Sequence, residues 1–533
     1  MNKKLKSEKG AITLVVLVTM LFLIAFLMTL FLRVANKAQT SAETTEQIKQ
    51  KYNNLEDEET IYQSYFADEE VIPIYTVEQL KKLGSGEQVE IEQENKIYTF
   101  AKDGYYVLKN NININKGKYT IDENSNITFN EDAEQWVPFD ETFTGTLDGL
   151  GHEISGIYIK DVTEETGKYK GLFSKTNEKA NIKNIGITDS YIENYEYTGT
   201  IVGQNTGVVK NCHTRNSVII TGSYGGGIVG HNGENITDES GTIIEMKGGI
   251  IENCYNESRI ECNNLIAEAT LIGGICGNNF KGTISKCYNK ADLNMSISAL
   301  GGIAGQNTAG GTIKQCYNLG KIQRSTENTS RTYIGGIAGT NTANVYLCYN
   351  LGDISNIVEV YGGIVGFNAR GIIEYCFNNS NVTGKGNKAG GVVGDNYSGQ
   401  VRYSYNLGNI DIEGNYAGGI SGYNRATGAN INHCYNIGNA TAGSSIGRIS
   451  GFNNNKASII KCFYLGEGEV AGTNQGTITD CANKSETEMK AVDGSFIELL
   501  NEGLEETTWA EDKDGTINNG YPYLIQLKSL MQK

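Results

Sequence analysis

The sequence predicts an all-β fold, a right-handed parallel β-helix (β-solenoid) of about ten or more coils, preceded by an N-terminal transmembrane α-helix and a helical stalk. Three observations predict it. A phrase such as Gly301-Gly302-Ile303-Ala304-Gly305-Gln306-Asn307 recurs along the chain, most copies 27 to 29 residues apart, with one step of 34 and one of 47. Glycine is abundant (66 of 533 residues) and proline nearly absent (3), which suits many tight turns between strands and excludes collagen and linker-rich disorder. Each repeat holds only short apolar runs bounded by Gly, Asn and Ser, and none carries an amphipathic helix.

The chain begins with a basic leader, residues 1–10, containing Lys3, Lys4, Lys6 and Lys9. An uncharged run follows from Ala11 to Leu32; its 22 residues reach about 33 Å as a helix, enough for a bilayer core of roughly 30 Å. Positive charge before the span leaves the leader in the cytoplasm and everything after residue 33 outside. The junction Lys9-Gly10-Ala11-Ile12-Thr13-Leu14 resembles the leader of type IV prepilins. That resemblance implies cleavage between Gly10 and Ala11 and entry of the helix into a pilus. The family usually has Glu at the fifth mature position, where this chain has Val15, so a plain uncleaved anchor stands as the other reading. Residues 33–70 are polar and rich in helix formers, and continue the span as a stalk.

Residues 71–170 are expected to form an N-terminal cap region and 171–483 the repeat array. Aligned on its Asn, the phrase gives Asn205, Asn232, Asn279, Asn307, Asn341, Asn368, Asn396, Asn424 and Asn453. One unit of two or three short strands cannot close a core alone; stacked at 4.7–4.9 Å, successive units bury a common interior. Ile228, Ile275, Ile303, Ile337, Ile364, Val392 and Ile420 should point inward as one stack. The recurrent Asn should hydrogen-bond the amide of the next coil, forming a structural ladder. Residues 484–533 should cap the array, with a helix near 485–503 blunting the last strand edge.

The pairing of this phrase with T-I-x-x-C-Y-N-x-G resembles the GLUG motif of bacterial surface proteins. The segment QWVPFDETFTGTLDGLGHEISGIYI and the closing stretch with Trp509 and Tyr521-Pro522-Tyr523 resemble the regions that flank such repeats. The resemblance spans roughly residues 71 to 530. It implies a β-helical array and a cell-surface location, without a fixed ligand.

Nine cysteines, Cys212, Cys254, Cys287, Cys316, Cys348, Cys376, Cys434, Cys462 and Cys481, share one repeat slot, with Ser404 in a tenth copy. Cys, Ser, Ala and Val in such slots select small volume, so a buried thiol ladder is expected, although bridging is open on distance. Beside it runs a tyrosine row, Tyr255, Tyr288, Tyr317, Tyr349, Tyr405 and Tyr435. This is a candidate ribbon for a surface glycan or protein ligand, or else a row packed under loops. Alternation between Ile313 and Cys316 fails by one residue, so a bend intervenes and the facing of the row stays open. The loops 233–249 and 323–333 are the other candidate contacts.

A formal charge of −16 excludes nucleic acid as a partner. The histidines (152, 213, 231, 433) are scattered, C-x-x-C is absent, and no metal or cofactor is expected. Asp395 precedes a ladder Asn without an evident second carboxylate, and Asp353 and Asp411 also lack partners. Asp122-x-Asn124-x-Asn126 and Asp512-x-Asp514-Gly515 echo calcium loops but lack most ligands. No catalytic residue is assigned. The chain is expected to be a single-pass, membrane-anchored extracytoplasmic scaffold, with a pilin-like subunit or a carbohydrate-active enzyme as the alternatives.

Overall fold

The computed structural model describes residues 70–263, 270–295, 297–324, 332–356 and 359–528. The expected leader, membrane span and stalk, with Gly10 and Ala11, lie outside these residues except for residue 70. Among the described residues no helix is long and apolar enough to cross a membrane.

From Val71 onward the chain winds into an all-β parallel solenoid of about 11 turns. A complete coil contains five short strands, more than the two or three apolar runs of the repeat suggested. In one coil they are Thr312–Lys314, Tyr317–Asn318, Ile322–Gln323, Tyr333–Gly335 and Ala338–Asn341. Each pairs in parallel with its equivalents one coil before and after, for example Ile313 with Ile284 and Val345. The resulting sheets, named A to E in that order, hold 14, 15, 6, 10 and 12 strands among the described residues. Strands of two or three residues are too short for a period of two to register in sequence, which is why they went uncounted. In earlier coils the B and C positions merge into one long strand, His213–Thr221 or Tyr255–Cys262.

The bend between sheets A and B is one residue in the left-handed region: Gln315 (φ +55°), Leu347 (+56°), Tyr375 (+53°) and their equivalents. It lets both Ile313 and Cys316 point inward, and both are fully buried. The inward stack Ile228 through Ile420 is likewise fully buried, and with the central residues of sheet A and the cysteines it fills the main core. Burying each such aliphatic side chain contributes about 1.5–3 kcal/mol. A second core lies between sheets C and D, where Leu293, Ile322, Ile354 and Val382 meet Ile272, Leu300, Ile334 and Tyr361.

Two asparagine ladders frame the main core. The expected one runs from Asn205 to Asn453 through all nine positions, each Nδ2 donating to the next Oδ1 at 2.8–2.9 Å. Thr176 starts it by donating to Asn205, and Asn474 ends it. All nine asparagines are fully buried. The second ladder was not foreseen. It uses the Asn of Cys-Tyr-Asn and its equivalents, Asn256, Asn289, Asn318, Asn350, Asn378, Asn406 and Asn436, linked at 2.8–3.0 Å. A Cβ on Gly302 would come within 2.5 Å of Asn318 and 2.1 Å of the Gly336 carbonyl. The Gly pair and Cys-Tyr-Asn are therefore two halves of one contact, where the coil narrows between its two cores.

At the N-terminal end, strand Val71–Ile74 already belongs to sheet A. Helix α1 (Val77–Lys81) follows, started by a capping box between Thr76 and Gln79, then the hairpin Gln88–Ile91 with Lys96–Thr99. The C-terminal segment contains short helices α2 (Glu486–Met489) and α3 (Ser495–Asn501) inside the expected 485–503. Among the described residues none of its strands pairs with the last strands of the array. It lies along the flank of the solenoid, where Phe496, Leu500 and Trp509 pack on aromatic residues of sheet B. Asn474, Thr477 and Thr479 of the last coil remain exposed.

Candidate functional site

The tyrosine row of sheet B is a continuous stack. His213, Tyr255, Tyr288, Tyr317, Tyr349, Phe377, Tyr405 and Tyr435 follow one another with ring centroids 4.8–5.0 Å apart and planes within 8°. The row points away from the cysteines, but its two halves differ. Tyr405 and Tyr435 are fully buried, and Tyr349 nearly so, beneath the C-terminal segment. The Tyr435 hydroxyl donates to the Pro522 carbonyl at 2.5 Å, and Asn518 Nδ2 donates to that hydroxyl at 2.8 Å. Asp512, from one of the calcium-like stretches, accepts the amides of Asn518 (2.6 Å) and Gly520 (2.9 Å) and so shapes this covering loop.

In this stack His213, Tyr255, Tyr288 and Tyr317 are partly open, flanked by the ion pairs Lys290–Glu257 (2.6 Å) and Arg215–Glu153 (2.6 Å). Stacking hides ring faces and leaves edges and hydroxyls outside. Even the open half therefore offers hydrogen bonds and ring edges rather than a flat platform.

The cysteines of the shared slot are free thiols. The Cys287 amide donates to Cys316 Sγ at 3.4 Å, and Cys316 Sγ donates to the Lys314 carbonyl at 3.2 Å. Ser404 keeps the pattern, donating to the Arg402 carbonyl at 2.9 Å and accepting from the Cys376 amide at 3.2 Å. Burial pushes the thiols of Cys212, Cys287, Cys348 and Cys462 well up, so they resist becoming thiolates. Iodoacetamide on the native protein is expected to label half-buried Cys262 and Cys481 before the nine buried thiols, as read by peptide mass. Early labelling within the buried row would contradict this packing.

A second surface lies where sheets D and E meet. Their outer faces turn toward each other, because side chains from the two sheets touch. Tyr416 of D stacks on Tyr423 of E at 5.4 Å, Tyr333 on Phe367 at 4.9 Å, and Ser445 Oγ lies 2.7 Å from Thr473 Oγ1. The junction is thus a seam of packed side chains running along the solenoid axis. At one end Tyr169, Tyr197 and Tyr224 stack at 4.7 Å, with Lys175 over the Tyr169 ring and His231 edge-on to Tyr197 and Tyr224. At the other end Phe452 meets the stacked Tyr416 and Tyr423 edge-on, and Tyr397 joins them through Arg425, all four rings half-buried.

Asp395 sits in the second cluster with 1% exposure. It accepts from Lys388 Nζ at 2.7 Å and from Arg425 Nε and a terminal guanidinium nitrogen at 2.8 and 3.1 Å. Arg425 also lies over the Tyr397 and Tyr423 rings. Both oxygens are taken by cations, an arrangement that orders side chains. Asp353 accepts the Asn381 amide, Asp411 bonds Thr441, and Asp122 closes a turn onto Asn124 and Asn126.

The sheet E side of the seam is the row of residues preceding each ladder Asn: Gln204, His231, Asn278, Gln306, Thr340, Phe367 and Asp395, paired coil to coil. Buried His231 Nδ1, Asn278 Oδ1 and Thr340 Oγ1 have no hydrogen-bond partner. Burial lowers the His231 imidazole to about 4. An unfolded imidazole titrates near 6.5, so between these values the unfolded chain binds more protons. Stability from this site is complete above about pH 6.5 and declines as pH falls toward 4, by at most roughly 3 kcal/mol. Urea denaturation at pH 7 and 4.5 should show a smaller pH difference for His231→Phe than for the native chain.

Of the predicted contact loops, 233–249 contains an antiparallel hairpin, Glu234–Thr237 with Ile243–Lys247, exposing Ile243, Ile244 and Met246. Most of 323–333 lies outside the described residues. Sequence reasoning missed this seam, because its residues do not repeat in kind. Its one signal was the variable position before the ladder Asn.

The family model described as the GLUG motif matches residues 296–323. That interval brackets one coil, from strand Ala299–Gly301 of sheet D to Ile322–Gln323 of sheet C. The match supports a GLUG-repeat protein. No curated protein matches the chain. The crystal structure of a candidate immunoglobulin A1 protease from Bacteroides ovatus is similar at 13% identity and a TM-score of 0.27, over 85% of this chain and 91% of that one.

Proposed function

We propose that this is a single-pass, membrane-anchored extracytoplasmic protein whose right-handed β-solenoid serves as an adhesin-type binding scaffold at the bacterial cell surface. The observation that carries the reading is the array itself. Successive coils hold their outward side chains at about the 4.8 Å strand spacing on a rigid frame, so an extended ligand can be met repeatedly along one line. The basic leader before an apolar run of bilayer length supports the anchor. The free thiol row fits a reducing or oxygen-poor setting. Catalysis is not part of the proposal, and the ion-paired Asp395 supports leaving it out.

The junction Gly10-Ala11 favours one second reading, a pilin-like subunit that displays the solenoid on a filament. Protease treatment of intact cells, with mass analysis of the recovered N-terminus, separates the possibilities. Cleavage within 71–528 on intact cells together with a retained leader is expected. A chain beginning at Ala11 would favour the pilin-like reading, and a solenoid protected until lysis would overturn surface display.

A further inference from the structure

We infer that the C-terminal end of the solenoid is a docking face for the same end of a second copy of this chain, joined through the unpaired strands Ala471–Asn474, Thr477–Thr479 and Ala482–Lys484. The inference is independent of the membrane anchor and of any ligand.

The two ends of the array are finished differently. At the N-terminal end Ile72 and Ile74 have no coil before them, yet both are buried with Leu80 of α1 and Ile91 of the hairpin. At the C-terminal end the three strands close sheets E, A and B and, among the described residues, pair on one side only. Ile478 and Cys481 are half-buried there, whereas Ile459 and Cys462 one coil earlier are fully buried. Asn474 likewise ends a buried ladder in the open. A bare strand edge is a template for pairing, and folds commonly blunt one with charge, proline, a bulge or a cover. These three strands carry no proline, an unbroken register and one charge, Lys484, which pairs with Glu488 at 3.5 Å.

The outline of this face selects its occupant. Its strands are three or four residues long and meet at bends. A straight peptide pairs with one of them at a time, over too few residues to stay bound. Matching all three at once takes a coil of the same outline. The rest of this chain fits poorly: five residues follow Lys528, and the segment before Glu70 joins the array at its opposite end. In a second copy the N-terminal end is covered by α1 and the hairpin, which leaves its C-terminal end.

Such a contact continues the coil-on-coil packing of the array and closes after two copies, because each has one such end. A twofold axis through the corner at Asp480 sets the three-residue strands of sheets A and B on each other's mates and the sheet E strand on its own, every pair antiparallel. The face spans 14 residues, 471–484. A standard interface uses roughly 20–30 a side, so the dimer should dissociate on dilution.

The test is sedimentation velocity of the full-length chain in mild detergent, with iodoacetamide labelling of the same samples read by peptide mass. About 0.3 M salt screens the −16 on each copy and the two Asp480 carboxylates at the axis. A dimer is expected that dissociates on dilution through roughly the micromolar range. As it forms, labelling of Cys481 should slow on the order of tenfold while labelling of Cys262 stays constant. Ile478→Lys puts an inward-pointing charge on the edge and should weaken the dimer on the order of tenfold or more. Cys481→Ser, which repeats the Ser404 substitution of the row, should dimerise like the native chain. The labelling comparison uses the native chain and stays decisive if Ile478→Lys disturbs the last coil.

A monomer up to high concentration would overturn the inference, as would filaments. A dimer whose Cys481 labels at the monomer's rate would also overturn it, by moving association to another surface, the N-terminal segment included. So would Cys481 protected in a monomer at every dilution, which would mean that the chain covers its own end.

Discussion

Replacing Gly302 with Val is expected to cut the solenoid in two. A Cβ at this position would stand 2.1 Å from the Gly336 carbonyl and 2.5 Å from Asn318 Cγ, and both belong to the stacked framework rather than to flexible side-chain ends. The next coil cannot retreat without stretching the 2.9 Å links from Asn289 to Asn318 and from Asn318 to Asn350. The local cost is about 3 kcal/mol or more. Coils contact only their neighbours, so the damage stays local while coupling across it is lost. Urea unfolding should change from one transition to two, and limited proteolysis should cleave near residue 302. Gly310→Ala is the comparison: no atom lies within 4 Å of a Cβ there, and only its φ of +82° is strained, at about 1 kcal/mol. A single native-like transition for Gly302→Val would refute the close approach.

The second large effect is expected for Asn341→Leu. Asn341 is fully buried, donates to Asn368 Oδ1 (2.8 Å) and the Ala343 carbonyl (3.0 Å), and accepts from Asn307 Nδ2 (2.8 Å) and the Ala343 amide (3.2 Å). Leucine keeps similar bulk but orphans the Asn368 oxygen and the Ala343 amide away from water. At about 1–3 kcal/mol for each orphaned group, the expected loss is about 4 kcal/mol in chemical denaturation. Asn474 occupies the same ladder at its exposed end. Asn474→Leu should cost only about 1 kcal/mol, because water replaces the lost partners. Equal losses at the two positions would mean that burial does not set the ladder's value.

The framework was legible because it repeats. Asn205 through Asn453 recur at a period matching one coil, and their chemistry predicts a hydrogen-bonded column. Ile303 and its equivalents recur with them. Asn318 recurs just as regularly, yet its role depends on facing Gly302 across the coil, a contact between residues 16 positions apart that no local pattern reports. The facing of Tyr317 was hidden by Gln315. Left-handed backbone is expected of Gly or Asn, and Gln, Leu, Tyr and Lys occupy that corner in successive coils. The C-terminal segment carried the helical pattern at 485–503, but its docking on Tyr405 and Tyr435 depends on where the aromatic row faces. The seam between sheets D and E was illegible because it arises where two sheets converge, from residues as different as His231, Thr340, Lys388 and Tyr423.

The most direct test of the central claim, that one repeat is one coil of a continuous stack, is deletion of one complete period. Asn368 and Asn396 are 28 residues apart and hydrogen-bonded. Removing residues 369–396 should bring Asn368 onto Asn424 and leave a folded protein one coil shorter, with a far-UV β spectrum and a cooperative transition. Removing only residues 369–382 should destroy cooperativity, because the strands of sheets A to E would then meet the wrong partners. If the full-period deletion unfolded the chain as completely as the half-period deletion, the stacked-coil account would be contradicted.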